Sequence, residues 1–72
     1  MSDFDKIETE LCRKLWKIIQ DDDTYIGTLL LLWTGDSPEQ NFKKMLDYIN
    51  DNPKAGYDEV LIEADKIVGL IK

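Results

Sequence analysis

The sequence predicts an all-α fold, a small irregular four-helix bundle with a short, mostly buried second helix. Three observations predict it. Apolar residues recur three and four positions apart in four successive segments. Helix-start and helix-stop residues punctuate the boundaries between them. The one short apolar run that reads equally well as a strand has no second strand to pair with.

The first segment covers roughly residues 3–20. Phe4, Ile7, Leu11, Leu15 and Ile18 mark one face, and Cys12, Trp16 and Ile19 form an adjoining stripe. Ser2 is placed to cap the start, with Asp5 three residues on. The polar side carries Lys6, Glu10, Arg13, Lys14 and Lys17, and Glu10 and Lys14 have the favourable four-residue spacing.

The second segment, residues 24–34, follows Asp21-Asp22-Asp23 and is apolar nearly all round. Its leucine content favours helix over strand. An all-round apolar helix belongs in the interior, so the other three are expected to wrap it. Gly27 lowers its helix propensity, which suggests a close approach by a neighbour, and Gly35 is the expected left-handed stop.

The third segment, residues 38–51, opens with Ser37-Pro38-Glu39-Gln40: a capping residue, proline at the first helical position, glutamine at the third. Phe42, Met45, Leu46 and Ile49 form its buried stripe, and Lys43 and Asp47 pair outside. Asn52 in a left-handed turn and then Pro53 end it. The fourth segment, residues 57–71, shows Tyr57, Leu61, Ala64, Val68 and Ile71 on one face, with Val60 and Ile67 beside it. Ile62 and Leu70 fall off that stripe, and with Gly69 they suggest either a second contact surface or a loose end. Short connections make consecutive helices antiparallel.

The composition narrows the function classes. With 43% apolar and 33% charged residues the chain is globular and forms one domain, residues 1–72. Ordering 72 residues costs on the order of 100 kcal/mol of conformational entropy. Both tryptophans, both phenylalanines and most leucines and isoleucines are therefore expected in the core, with the tyrosine hydroxyls at its rim. Nine basic residues against fifteen acidic ones give −6. That sign opposes binding to nucleic acid or to an anionic membrane, and allows a basic partner. Leu29–Trp33 is too short an apolar stretch to cross a bilayer. Met1-Ser2-Asp3 is an acidic, polar opening unlike a signal peptide. A single cysteine, Cys12, allows no internal disulfide, so a cytoplasmic protein is expected.

Catalytic and metal signatures are missing. There is no histidine, so the commonest general base is absent and nothing activates Cys12 as a nucleophile. Cys12 reads as a small buried hydrophobe. A calcium loop begun at Asp21 would need glycine at its sixth position and glutamate at its twelfth, where Ile26 and Leu32 stand. The Asp run reads instead as a cap and a favourable charge at the start of the second helix. No catalytic residue, cofactor or metal is expected.

Asp36-Ser37 at the start of the third helix resembles the attachment site of acyl and peptidyl carrier proteins. These are small acidic four-helix domains that carry a phosphopantetheine arm on such a serine. The resemblance covers those two residues and the helix behind them, and implies modification of Ser37. Two features depart from the family: Pro38 stands where carriers usually have leucine, and an apolar helix replaces their long loop.

The expected function is that of a non-catalytic protein-interaction or regulatory module, of the antitoxin, immunity or inhibitor kind. A partner protein or a homodimer mate would dock on surplus apolar positions such as Ile62 and Leu70. The alternatives are a carrier modified on Ser37 and an acidic mimic of nucleic acid. Mixed charge signs on the first and third helices oppose the mimic.

Overall fold

The computed structural model describes residues 3–34 and 37–69. It contains α1 (Asp3–Ile19), α2 (Asp22–Trp33), α3 (Pro38–Asp51) and α4 (Tyr57–Ile67). No strand occurs among the described residues. The all-α four-helix class read from the sequence is the observed one.

The helix ends follow local chemistry, with three corrections to the sequence reading. α1 stops at Ile19 because Gln20 turns left-handed (φ 50°), its side-chain amide donating to the Lys17 carbonyl at 3.1 Å. No glycine or asparagine signals that turn. α4 stops at Ile67, four residues before the expected end, because Gly69 adopts φ 87° and its N–H returns to the Lys66 carbonyl. Asn52 is not left-handed. It keeps φ −128° and folds its amide back to donate to the Tyr48 carbonyl at 2.9 Å. Ser37 stands at the N-cap of α3 but its hydroxyl makes no cap hydrogen bond, because its ψ of 78° lies outside the extended values of capping residues. Pro38 still opens the helix as expected. Ser2, Gly35, Asp36, Leu70 and Ile71 lie outside the described residues.

Consecutive helices are antiparallel. Phe4 meets Trp33 while Trp16 meets Tyr25, which sets α1 against α2. Asn41, early in α3, reaches the last carbonyls of α2. Around the bundle the neighbours run α1–α2–α4–α3, and α2 also touches α3 across the middle. The parallel pairs α1/α3 and α2/α4 are therefore also neighbours. Lys14 bonds to Asn50 in the first pair, and Tyr57 to Thr24 in the second.

The core comprises Leu11, Leu15 and Ile19 of α1, Leu32 of α2, Phe42, Met45 and Ile49 of α3, and Val60 and Ala64 of α4. Ala55 in the α3–α4 connection closes one end. Each helix presents this core through a three-and-four-residue stripe; α2 buries Leu32 and the hydroxyl-bearing Thr28, with Tyr25, Leu29 and Leu31 packed half-buried against the core. Thr28 is satisfied by donating to the Thr24 carbonyl at 2.8 Å. On α4 the buried residues are Ala64 of the predicted face and Val60 beside it, while Tyr57 of that face is exposed and Leu61 half-buried.

The sequence reading of α2 as mostly buried is therefore corrected. α2 is one corner of the bundle and α3 is the more buried helix. Leucine on every side of α2 gives no sequence signal for its inner face, and a corner helix covers one face only. Both tryptophans are likewise exposed rather than enclosed in the core, at 43% and 46%.

Gly27 lies on the uncovered part of α2. A Cβ there would meet nothing within 4 Å, so no neighbouring helix in this chain requires the glycine. Gly27→Ala should accordingly raise stability by about 0.5–1 kcal/mol, through helix propensity and a stiffer unfolded chain. Urea denaturation checks this, and a destabilised variant would place an unseen contact at Gly27.

Candidate interaction surface

The outer face of α2 carries Ile26, Leu30 and Trp33, spaced four and three apart on one row. They are 52%, 62% and 46% exposed, so the row is an apolar ridge in solvent. Aromatic contacts hold it from the α1 side. Trp33 meets Phe4 edge-on at 5.5 Å and Phe42 at 5.3 Å, and Trp16 meets Tyr25 at 5.3 Å. The two tryptophans are each packed against a neighbouring ring and still exposed, at 43% for Trp16 and 46% for Trp33.

On its other flank α2 borders a groove shared with α4. The groove holds about 290 Å³ and is lined by Thr24, Gly27, Thr28, Leu31, Leu61, Ala64 and Asp65. Ile62, an expected contact residue, is exposed and follows the lining residue Leu61 in sequence without lining the groove itself. Leu70, its proposed companion, lies outside the described residues. The surface accordingly centres on α2, with Ile62 at its margin.

The end of the groove is fixed by a hydrogen-bond chain. The Tyr57 hydroxyl donates to Thr24 Oγ1 at 2.9 Å, and Thr24 Oγ1 donates to Asp21 Oδ2. Asp21 also caps α2 by accepting from the Thr24 N–H at 3.2 Å. One aspartate of the acidic run therefore caps, as the sequence suggested, while Asp22 and Asp23 are exposed in the first turn.

Charge around the surface has one dominant sign. α2 contains no lysine or arginine. Asp22 and Asp23 flank its start, Asp58 is exposed in the first turn of α4, and Asp65 lines the groove. Glu8 lies in the α1 row between Phe4, which touches Trp33, and Cys12, which neighbours Tyr25. The ion pairs among the described residues are Arg13–Glu10 and Lys14–Glu10, the latter at 3.8 Å. The expected Lys43–Asp47 pair does not form among them. Asp65 thus has no ion-pair partner among the described residues, and the nearest cation by helical spacing, Lys66, stands beside Ile62.

The remaining sequence candidates are dispersed. Cys12 is half-buried beside Tyr25. Burial, and then the Cys12 sulfur, push the Tyr25 hydroxyl from 10 up to about 12. Because the fold favours the neutral phenol, its contribution to stability is complete below pH 10. It is lost as pH rises from 10 to about 12. Absorbance titration of the folded chain should show one of the three tyrosines ionising near pH 12. All three ionising together near 10 would contradict this environment. Burial and the carboxylates of Glu59 and Glu63 also raise the Tyr48 hydroxyl, at the seam of α3 and α4. Ser37 is half-buried at the start of α3.

Asn41 was not legible as a functional position. It is buried, and its amide donates to the carbonyls of Leu32 and Thr34 at 3.0 Å each. Those carbonyls lie in the last turn of α2, where the helix itself supplies no donors. Asn41 therefore fixes the end of the ridge that carries Trp33. The available signal was its spacing, four residues before Met45 and eight before Ile49 on the buried row.

No group of three or more potential metal ligands occurs among the described residues. No helix among them is long and apolar enough to cross a membrane. Comparison of the chain with family models, characterised proteins and solved structures gives no match.

Proposed function

We propose that this chain is a non-catalytic, cytoplasmic protein-interaction module that docks on a partner protein through the outer face of α2. The observation that carries the reading is the Ile26–Leu30–Trp33 ridge, three large apolar side chains left in solvent on one helix of a small bundle. Scattered exposed apolar residues are ordinary, but a contiguous ridge beside a groove is the kind of patch that marks a contact. Its edge-anchored tryptophan is also a residue type favoured at binding hot spots.

Photo-crosslinking tests it. A benzophenone side chain introduced at Leu30 should trap a partner in cells, and the same group at exposed Asp47 on α3 should not. Equal trapping at both positions, or none at Leu30, would overturn the reading. The carrier alternative is separated by intact mass. Incubation with coenzyme A and a phosphopantetheinyl transferase should leave the mass unchanged, and an added arm on Ser37 would replace the interaction reading.

A further inference from the structure

We propose that the occupant of the α2 surface is a basic amphipathic helix, which seats one apolar side chain over Gly27 and sets its lysines or arginines against the acidic rim. The inference rests on the interaction reading above and specifies the partner's chemistry. Gly27 supplies the first argument. A helix-interior glycine lowers stability, yet this fold makes no use of the missing Cβ, because the space above it is open. That space belongs to the groove, with Leu31 and Leu61 on its sides and Asp65 at its edge. A partner helix laid along α2 can approach its backbone closely only there.

Charge supplies the second argument. Asp22, Asp23, Asp58, Asp65 and Glu8 surround the apolar ridge, and α2 carries no cation. A second copy of this chain brings the same acidic rim and the same net charge of −6, so self-association opposes like charges. A helix with apolar residues at i, i+4 and i+7 and lysine or arginine on both flanks meets both requirements. An anionic membrane meets neither.

The test uses the full chain and two synthetic amphipathic peptides of about 14 residues, roughly the length needed to span α2. One combines leucine with lysine, the other leucine with glutamate. In an amide NMR titration the lysine peptide should move Gly27, Leu30, Leu31, Leu61 and Asp65. Gly27→Leu, shown to be folded by circular dichroism, should weaken binding about tenfold or more by filling the groove. Asp65→Asn should weaken it about threefold, and added salt should weaken it further. The glutamate peptide should not bind.

Equal binding of the two peptides, shifts confined to Asp21–Asp23, or unchanged affinity in Gly27→Leu would each overturn the inference. A chain that self-associates through α2, is dispersed by Leu30→Asp and ignores the lysine peptide would also overturn it, while leaving the interaction reading intact. If the lysine peptide binds and Leu30→Asp leaves that binding unchanged, the inference falls; the interaction reading falls with it only if crosslinking at Leu30 also traps no partner.

Discussion

Leu32→Asp should leave the chain largely unfolded at room temperature, whereas Leu30→Asp should change its stability by no more than about 0.5 kcal/mol. The two residues are chemically identical and two positions apart in one leucine run. Leu32 is 0% exposed, in contact with the common core, and Leu30 is 62% exposed on the outer row. Losing a buried leucine side chain costs about 2–5 kcal/mol, and an unpaired buried carboxylate adds several more. A 72-residue domain has a total stability of only about 4–11 kcal/mol. Thermal melts followed by circular dichroism read both outcomes. Similar losses in the two variants would mean that α2 is buried on both faces and that the ridge does not exist.

Asn41→Leu should lower stability by about 2–4 kcal/mol despite keeping an apolar side chain of similar size in an apolar setting. The amide donates to the Leu32 and Thr34 carbonyls, and leucine removes both hydrogen bonds. In a domain of this size the loss corresponds to a fall of about 10 °C or more in melting temperature. Asn41→Asp should be at least as harmful, since a carboxylate accepts where a donor is needed. Hydrogen exchange distinguishes this mechanism from general loosening, because the added exchange should concentrate in the last turn of α2 and the start of α3. An Asn41→Leu variant as stable as the parent would show that the two hydrogen bonds contribute nothing.

The elements with one-sided patterns were legible. Leu11 and Leu15, Phe42 with Met45 and Ile49, and the Pro38 start of α3 all lie where periodicity and capping chemistry place them. The Asp21 cap was readable as well, because an aspartate before an apolar run has few other uses. α2 was misread for a physical reason: when every side of a helix is apolar, periodicity contains no information about which side is buried. Its assignment to the centre followed from composition, while its place at a corner is set by how the other three helices close. The end of α4 differs for another reason: the turn at Gly69 closes the helix at Ile67, before the apolar pattern runs out at Ile71. α1 ends within a residue of the expected place, although no residue type advertises the left-handed turn at Gln20. The candidate surface was legible only at its margin, in Ile62. Its main part lay in the same leucine run that had been assigned to the interior.

The outer row of α2 is proposed to make contact with another protein. Sedimentation velocity of the fluorescently labelled chain in an extract of its native host measures this directly. The parent chain should sediment in a complex larger than its own 8.4 kDa, and folded Leu30→Asp should sediment as the free chain. A free parent chain, or a folded Leu30→Asp chain that still travels in the same complex, would contradict it.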